Sequence, residues 1–176
     1  PIVQNGSKSD TVLHKVADAV SVSEIRTKKI QDILAHMSTV LAKEEDGVAI
    51  AAPQIGVPLR IFVVKAEALE NKTEKKDLVF INPVITKRSR TLDWMDEGCL
   101  SVRNWFGKVK RSEKATVRAY NEQGRFFERG ASGLLAQIFQ HEVDHLNGTL
   151  FTERAVELIE FKPEKKRRTA SATEPA

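Results

Sequence analysis

Two histidines stand four residues apart in the segment HEVDH at 141–145, and a glutamate directly follows the first of them. Side chains at positions i and i+4 lie on the same face of a helix, with roughly 6 Å between their Cβ atoms. His141 and His145 can therefore bind one metal ion together. Glu142 lies about 100° further round the helix, where its carboxylate can act as a general base on a metal-bound water without being a ligand. The pattern indicates metal-assisted hydrolysis, and the alternative is a polar helix face with two hydrogen-bonded histidines.

Two imidazoles are too few ligands for a catalytic metal, and Cys99 in the segment DEGCLS is the candidate for the third. Thiolate is a good ligand for Zn²⁺ or Fe²⁺, and the metal keeps it deprotonated near neutral pH. A Cys/His/His set leaves a fourth position open for water, which is typical of a catalytic site. Gly98 allows the backbone to approach the metal closely. On spacing alone, a small buried side chain in the core is an equal alternative for Cys99.

A third segment, GVAIAAPQIG at 47–56, combines small residues with a glutamine. Small residues allow close approach of the backbone to a ligand, and the Gln54 amide can donate a hydrogen bond to an oxyanion. Taken alone, the segment is first interpreted as a tight loop between a helix and a strand.

The elements that must position these residues follow from apolar spacing. Helical spacing predicts one helix from Ser23 to Glu45, with Ser23 as N-cap and Gly47 as the stop, and a second after Ser132 that ends near Gly148. The remaining predicted elements are strands at 59–65 and 78–85, a loop at 70–77, and a hairpin at 114–130 that turns at Asn121–Gly124. Strands in the middle, preceded and followed by a helix, predict an α+β fold in which the strands pack around the helix that carries HEVDH.

Composition sets the limits for this interpretation. The chain has 176 residues, 41% of them hydrophobic and 30% charged, as in an ordinary globular domain, and its single cysteine excludes an intramolecular disulfide. The apolar runs are short, and the first ten residues lack the pattern of a secretory signal, so neither a membrane span nor a signal is expected. Residues 1–161 are predicted to form one catalytic domain. Residues 162–176, with five basic and two acidic side chains, are predicted to form a disordered tail that could contact RNA, or simply a frayed end.

Taken together and in this order, the three segments resemble the signature of the peptide deformylases, over roughly residues 10–152. That family carries a motif G-φ-G-φ-A-A-x-Q, in which φ is apolar, then E-G-C-φ-S, and then Q-H-E-x-D-H-L-x-G. The corresponding residues here are Gly47-Val48-Ala49-Ile50-Ala51-Ala52-Pro53-Gln54, Glu97-Gly98-Cys99-Leu100-Ser101 and Gln140-His141-Glu142-Val143-Asp144-His145-Leu146-Asn147-Gly148. The second and third match in full.

The resemblance implies a hydrolase that removes the N-formyl group from the initiator methionine of nascent polypeptides, with formate and a free amine as products. It implies one divalent metal ion per chain, usually Fe²⁺ in the cell and often Zn²⁺ or Ni²⁺ in preparations. The implied metal ligands are Cys99, His141 and His145. Metal-bound hydroxide would attack the formyl carbon, Glu142 would be the general acid/base, and the Gln54 side chain and the Leu100 backbone N–H would form the oxyanion hole.

A site for the peptide is expected beside this centre. Val48, Leu134 and Ile138 are candidates to line an apolar pocket for the methionine side chain, although plain helix packing is the alternative. Ala49 and Gly98 are candidates for backbone contacts with the peptide. A tight site would exclude acetylated chains, because an acetyl group carries carbon where formyl carries hydrogen.

The sequence departs from the family pattern in three places. Ala49 stands where the family has glycine, and its extra methyl group could narrow the peptide groove. Trp105 and Phe106 follow the second motif and could reshape the rim of the site. The segment ERAVELIEF at 153–161 is predicted to form a short helix. Within the second motif, Glu97 is expected to pair with Arg111 and hold the cysteine loop, or else to form a surface salt bridge worth under about 1 kcal/mol.

Two other functions remain open at this stage. HExxH also occurs in metallopeptidases, which usually take a histidine or carboxylate as third ligand. An inactive homologue could instead bind the ribosome or RNA through the basic tail. The expected partner is the nascent formylated polypeptide. The basic tail could also contact the ribosome, whereas neither a membrane nor DNA is expected as a partner. The expected location is the bacterial cytoplasm, or a mitochondrion or plastid if a transit peptide has been removed.

Overall fold

A computed structural model describes residues 1–69 and 74–162, which adopt the expected α+β fold. The two α-helices are α1 (Lys28–Ala42) and α2 (Gly133–Leu146). The strands are β1 (Ala49–Ala51), β2 (Ile61–Val64), β3 (Leu78–Arg88), β4 (Leu92–Cys99), β5 (Val102–Ser112), β6 (Lys114–Tyr120), β7 (Phe126–Ser132) and β8 (Val156–Glu160). Short 3₁₀ helices cover Asp10–His14, Val22–Glu24, Ala52–Ile55, Ala66–Ala68 and Phe151–Glu153. Within these described ranges, no helix has the length and apolar character that crossing a membrane requires.

The strands form two antiparallel sheets. The larger has the order β1-β2-β3-β6-β7, and the smaller has the order β4-β5-β8. The predicted hairpin is β6–β7, whose register runs from Lys114 opposite Ser132 to Tyr120 opposite Phe126. Its turn closes where the N–H of Gly124 donates to the carbonyl of Asn121, as predicted.

Helix α2 is anchored on the larger sheet through its apolar face. The Phe139 ring is fully buried, and its centroid lies 5.2 Å from that of Phe80 and 6.4 Å from that of Phe62. Burying a ring of this size contributes roughly 1.5–3 kcal/mol. The other buried apolar residues of the helix are Ala136, Ile138, Val143 and Leu146. Because this face is occupied by the sheet, the face with the polar motif residues is turned toward the smaller sheet.

The helix boundaries differ in part from the prediction. Helix α1 begins at Lys28, and Ser23 lies in the preceding 3₁₀ turn, where its hydroxyl lies 3.0 Å from that of Ser21. Thr27 takes the N-cap position instead, with an extended backbone. For α2 both predicted boundaries hold: Ser132 is the N-cap residue, although its side chain makes no capping hydrogen bond, and Gly148 follows the end with a φ of +76°.

The helix predicted at 153–161 is wrong. Val156–Glu160 is strand β8, which pairs antiparallel with β5 through Phe106 opposite Ile159 and Trp105 opposite Glu160. Glu157, with a φ of +54°, interrupts the alternation of side chains along β8. The segment forms a strand because the edge of β5 offers it backbone hydrogen bonds. Five residues are too few for a stable helix without such a partner. Residues 163–176 of the predicted tail lie outside the described residues.

Replacement of Phe139 by alanine should lower the free energy of unfolding by roughly 3–5 kcal/mol, because it opens a cavity between α2 and the sheet. Urea-induced unfolding followed by circular dichroism would measure the loss. The matched control is Phe126→Ala in β7, where the ring is 60% exposed. Its expected loss is about 1 kcal/mol, from the edge contact with Tyr120. Equal losses in the two variants would contradict the anchoring role of Phe139.

Candidate metal centre and active site

Cys99 lies at the tip of the β4–β5 hairpin and lines the cleft. Cys99 is the last residue of β4 and lies opposite Val102, the first residue of β5, so that Leu100 and Ser101 make a two-residue turn. The Ser101 N–H donates to the Cys99 sulfur over 3.4 Å. A backbone donor of this kind stabilises the thiolate form of a cysteine.

Helix α2 brings both histidines to that sulfur. The Cys99 Sγ lies 3.2 Å from the His145 Nε2, and one ligand atom from each of Cys99, His141 and His145 lies within 4.8 Å of the other two. A tetrahedral ion with bonds of 2.0–2.3 Å separates its ligand atoms by roughly 3.3–3.8 Å. The spacing and the chemistry of the donors therefore fit a single divalent ion such as Zn²⁺ or Fe²⁺.

The surroundings favour a thiolate beside positive charge. Burial by itself raises the pKa of Cys99, but the charge of His145 and the contacts with both imidazoles outweigh it and lower that pKa to about 5. For His141 the signs are reversed. Burial acts to lower the pKa of this imidazole, but its contacts with Cys99 and Glu97 outweigh burial and hold the pKa well above its ordinary value. A place that attracts a positive charge next to a thiolate is suited to a metal cation.

A buried network of charges holds the first histidine. The Glu97 Oε2 lies 2.8 Å from the His141 Nδ1, and the Arg111 guanidinium donates to both Glu97 oxygens over 2.7 and 3.0 Å. Arg111 also donates to Asp144, which lies between the two histidines in sequence. Burial raises the pKa of Glu97, and the hydrogen bonds of His141 and Arg111 reverse this and lower it to about 2. The expected pair of Glu97 and Arg111 is thus confirmed as a buried ion pair, and the surface alternative is wrong.

Gln54 points its amide group toward the metal ligands. Its Oε1 accepts a hydrogen bond from the Ala51 N–H over 2.8 Å, which leaves the Nε2 to donate. That nitrogen lies 3.2 Å from the Ser101 hydroxyl and 3.6 Å from the Cys99 sulfur. Gln54 lies in the 3₁₀ turn that follows β1, so the segment is both the tight connection expected and a source of a directed donor.

Glu142 is 4% exposed, and within the described part of the chain its Oε2 atom has no hydrogen-bond partner. Burial raises the pKa of this carboxyl group. An unpartnered carboxylate oxygen is costly in the interior. The arrangement fits a group that exchanges a proton with a molecule held at the metal centre, and a raised pKa suits a general base that acts near neutral pH.

A cleft of about 360 Å³ leads from the surface to this centre. All five predicted peptide-contacting residues lie in its wall: Val48, Ala49, Gly98, Leu134 and Ile138. Gln54, Leu100, Cys99, His141 and Glu142 also line it, whereas His145 is 1% exposed and lies behind them. Of the two aromatic residues after the second motif, Phe106 lines the cleft and Trp105 does not.

Two residues that hold the site in place, Gln140 and Gln4, were given no role in the sequence analysis. Gln140 ties α2 to β5, because its amide group accepts from the Ser112 N–H over 3.0 Å and donates to the Ser112 carbonyl over 2.9 Å. The Gln4 side chain donates to the Leu100 carbonyl over 2.9 Å, which fixes the peptide unit next to the turn. Gln140 belongs to the third motif, which was its only signal. Gln4 lies in a segment without periodicity, so nothing in the sequence pointed to it.

The family model described as polypeptide deformylase matches residues 1–160 of the chain. The chain is 41% identical to the peptide deformylase of Halothermothrix orenii over 160 residues, which cover 91% of this chain and 97% of that protein. It is 40% identical over 162 residues to peptide deformylase 1A, chloroplastic/mitochondrial, of Arabidopsis thaliana, and this match covers 85% of the chain but only 60% of the plant protein.

Solved structures show the same relationship. The class I type b peptide deformylase from Acinetobacter baumannii, in a crystal structure bound to Met-Ala-Ser, superposes with a TM-score of 0.78 at 34% sequence identity. The superposition covers 88% of this chain and 96% of that one. Fold and sequence therefore point to one family.

Substitution of Glu97 by glutamine should weaken Zn²⁺ binding by roughly 10–100-fold, because it removes the charge that orients His141 and pairs with Arg111. Competition with a chromophoric chelator would measure the affinity. Glu128→Gln is the matched control, since Glu128 forms an exposed pair with Arg118 on the β6–β7 hairpin and does not line the cleft. An unchanged affinity in Glu97→Gln would contradict the role given to the network.

Proposed function

The chain belongs to the polypeptide deformylase family, and we propose that it releases formate from nascent polypeptides at the centre formed by Cys99, His141 and His145. Members of this family are metal-dependent hydrolases that remove the formyl group from the first methionine. The observation that carries the proposal is the convergence of one sulfur and two imidazole nitrogens within 4.8 Å at the base of the cleft.

A divalent ion supplies two effects when bound: it lowers the pKa of a water molecule and polarises the formyl carbonyl. We propose Fe²⁺ as the ion in the cell, with Zn²⁺ or Ni²⁺ able to replace it. A set of one thiolate and two imidazoles accepts all three metals, and availability then decides which is bound.

Glu142 is the proposed general acid/base. Its Oε2, which has no partner among the described residues, accepts a proton from the attacking water as the oxygen of that water bonds to the formyl carbon. The same carboxyl group then delivers the proton to the methionine nitrogen while the C–N bond breaks. Formate and a free amino group leave, and the carboxylate is restored for the next cycle.

The negative charge that develops on the formyl oxygen needs donors already in position. The Gln54 Nε2 is directed toward Cys99 by the bond that holds its Oε1, and the Leu100 backbone N–H belongs to the adjacent turn. One such donor typically contributes about 3 kcal/mol to the stabilisation of the transition state. The Gln4 bond to the Leu100 carbonyl supports the orientation of this turn.

The wall of the cleft supports recognition of methionine. Val48, Leu134 and Ile138 provide apolar surface, and the Acinetobacter relative has been crystallised with Met-Ala-Ser. Ala49, 7% exposed, adds a methyl group to the wall where the family motif has glycine. This methyl group narrows the groove for the peptide, whereas exclusion of acetylated chains depends on the space around the formyl carbon, where acetyl carries a methyl group in place of hydrogen.

The origin of the similar proteins indicates where this protein acts. Similar proteins come from bacteria and from plant organelles, so we propose that this chain acts in the bacterial cytoplasm or in an organelle that makes formylated proteins. The basic residues after Pro163, outside the described part, would favour contact with ribosomal RNA through their charge. The metallopeptidase and inactive-homologue alternatives gain no support from the comparisons.

Protein purified without air should contain about one divalent ion per chain, mostly iron by elemental analysis, and should release formate from formyl-Met-Ala-Ser. A peptide without a formyl group should remain intact, because its internal peptide bonds should not be hydrolysed. Removal of the metal with a chelator should abolish formate release, and Fe²⁺ should restore it. Cleavage of the internal peptide would instead support the metallopeptidase, and bound metal without either activity would support the inactive homologue.

Glu142→Ala should keep the metal and lower kcat by roughly 10²–10⁴-fold, because the proton then has no positioned carrier. Metal content and formate release measured on the same preparation would separate the two effects. Glu128→Ala, at an exposed position of β7, serves as control and should retain full activity. Loss of metal from Glu142→Ala with unchanged residual activity would contradict the proposed role.

A further inference from the structure

Beyond the cleft, the smaller sheet carries apolar side chains on its outward face. Gly98 in β4 lies opposite Phe106 in β5, and Phe106 lies opposite Ile159 in β8. Residues directly opposite each other in antiparallel strands place their side chains on the same face of the sheet. The three residues therefore form a row that crosses all three strands from the metal-binding turn outward. We call Phe106 and Ile159 together the apolar shelf.

The shelf is continuous with the cleft. The ring of Phe106 lies over Gly98, since a Cβ atom at Gly98 would come within 2.8 Å of it. Phe106 also lines the cleft, so one side chain borders both the reaction centre and the outer surface. Ile159 extends this surface, and the two side chains are 51% and 64% exposed. Large apolar side chains exposed next to each other at a cleft usually mark a contact surface.

Charged residues limit the shelf on one side. The next pair along the two strands, Asp96 opposite Lys108, carries opposite charges on the same face. Other exposed apolar residues of this face, such as Leu92 at the start of β4, lie beyond that pair. The pair of Asp96 and Lys108 thus separates the shelf from Leu92, while Phe161, two residues after Ile159, is a further exposed apolar residue at 67%.

Distances along the sheet indicate which part of a bound peptide would reach the shelf. Adjacent strands lie about 4.8 Å apart, so Ile159 lies roughly 10 Å from Gly98 across two strand spacings. An extended peptide advances about 3.3 Å per residue and covers this distance in about three residues. A peptide that runs from the metal centre across the strands would therefore place about its fourth residue at Ile159. Because successive side chains of an extended chain point to opposite faces, either the fourth or the fifth side chain would face the sheet.

We propose that the apolar shelf binds an apolar side chain at the fourth or fifth residue of the nascent polypeptide, whichever faces the sheet, so that the enzyme prefers substrates with apolar residues there. This inference rests on the proposed deformylase function. It adds a selectivity beyond that of the cleft, because Phe106 borders the cleft and Ile159 continues the same row of side chains away from it. A second copy of the protein is the other occupant that an apolar strand at a sheet edge could attract.

The test compares formate release from formyl-Met-Ala-Ser-Leu-Leu and formyl-Met-Ala-Ser-Ser-Ser. The wild-type protein should favour the leucine peptide by about five-fold in kcat/KM, as expected from partial burial of a leucine side chain. Ile159→Thr should reduce this ratio to about one, because it keeps a β-branched residue but removes apolar surface. Ile159→Val should keep most of the preference. Leu92→Thr, at an equally outward position of the same sheet, should leave the ratio unchanged.

The outcomes decide between the possibilities. A ratio of about one in the wild-type protein, or its loss in Leu92→Thr as well, would overturn the shelf while leaving the deformylase function intact. Sedimentation velocity that shows a dimer in the wild type and a monomer in Ile159→Thr would assign the surface to a second copy and also overturn the inference. Failure of the wild-type protein to release formate from either peptide would overturn the proposed function, and the shelf with it.

Discussion

The buried guanidinium of Arg111 joins the two parts of the chain that make the metal centre. It binds Glu97, two residues before Cys99, and Asp144, directly before His145. Taking three charged groups out of water costs several kcal/mol per group, and only well-directed hydrogen bonds compensate for this. The arrangement is therefore stable in one geometry, in which the hairpin tip and the helix stand at a fixed distance. The metal ligands take their spacing from that geometry.

The two faces of helix α2 make different kinds of contact with the two sheets. Phe139 and its neighbours bury the apolar face against the larger sheet, while Gln140 and Asp144 bind the smaller sheet through polar contacts. A helix held from both sides cannot rotate without losing either apolar burial or buried hydrogen bonds. Catalytic groups must stay within about 0.5 Å of their working positions, and this double attachment provides the necessary rigidity.

The two sheets contribute facing walls of the cleft. The smaller sheet carries Cys99 and the apolar shelf, and the larger sheet carries Ala49 on the opposite wall of the cleft. Near one end of the cleft, Arg103 of β5 binds both oxygens of Glu44, in the segment that leads to β1, over 2.9 and 3.1 Å. This pair is partly exposed and contributes little stability, but its two parallel bonds connect the smaller sheet with the segment that leads to β1.

The sequence alone determined the features that depend on neighbours along the chain. His141 and His145 share a face because the turn of a helix is the same in every protein, and Gly148 ends α2 because it tolerates a positive φ. The motifs identified the family and the cleft residues. Only the tertiary structure decided that Cys99 meets His145 across 46 residues and that Ile159 lies in a strand and not a helix. Contacts between residues far apart in sequence depend on which surfaces the fold brings together and on the exclusion of water between them. Neither can be inferred from the spacing of neighbouring residues.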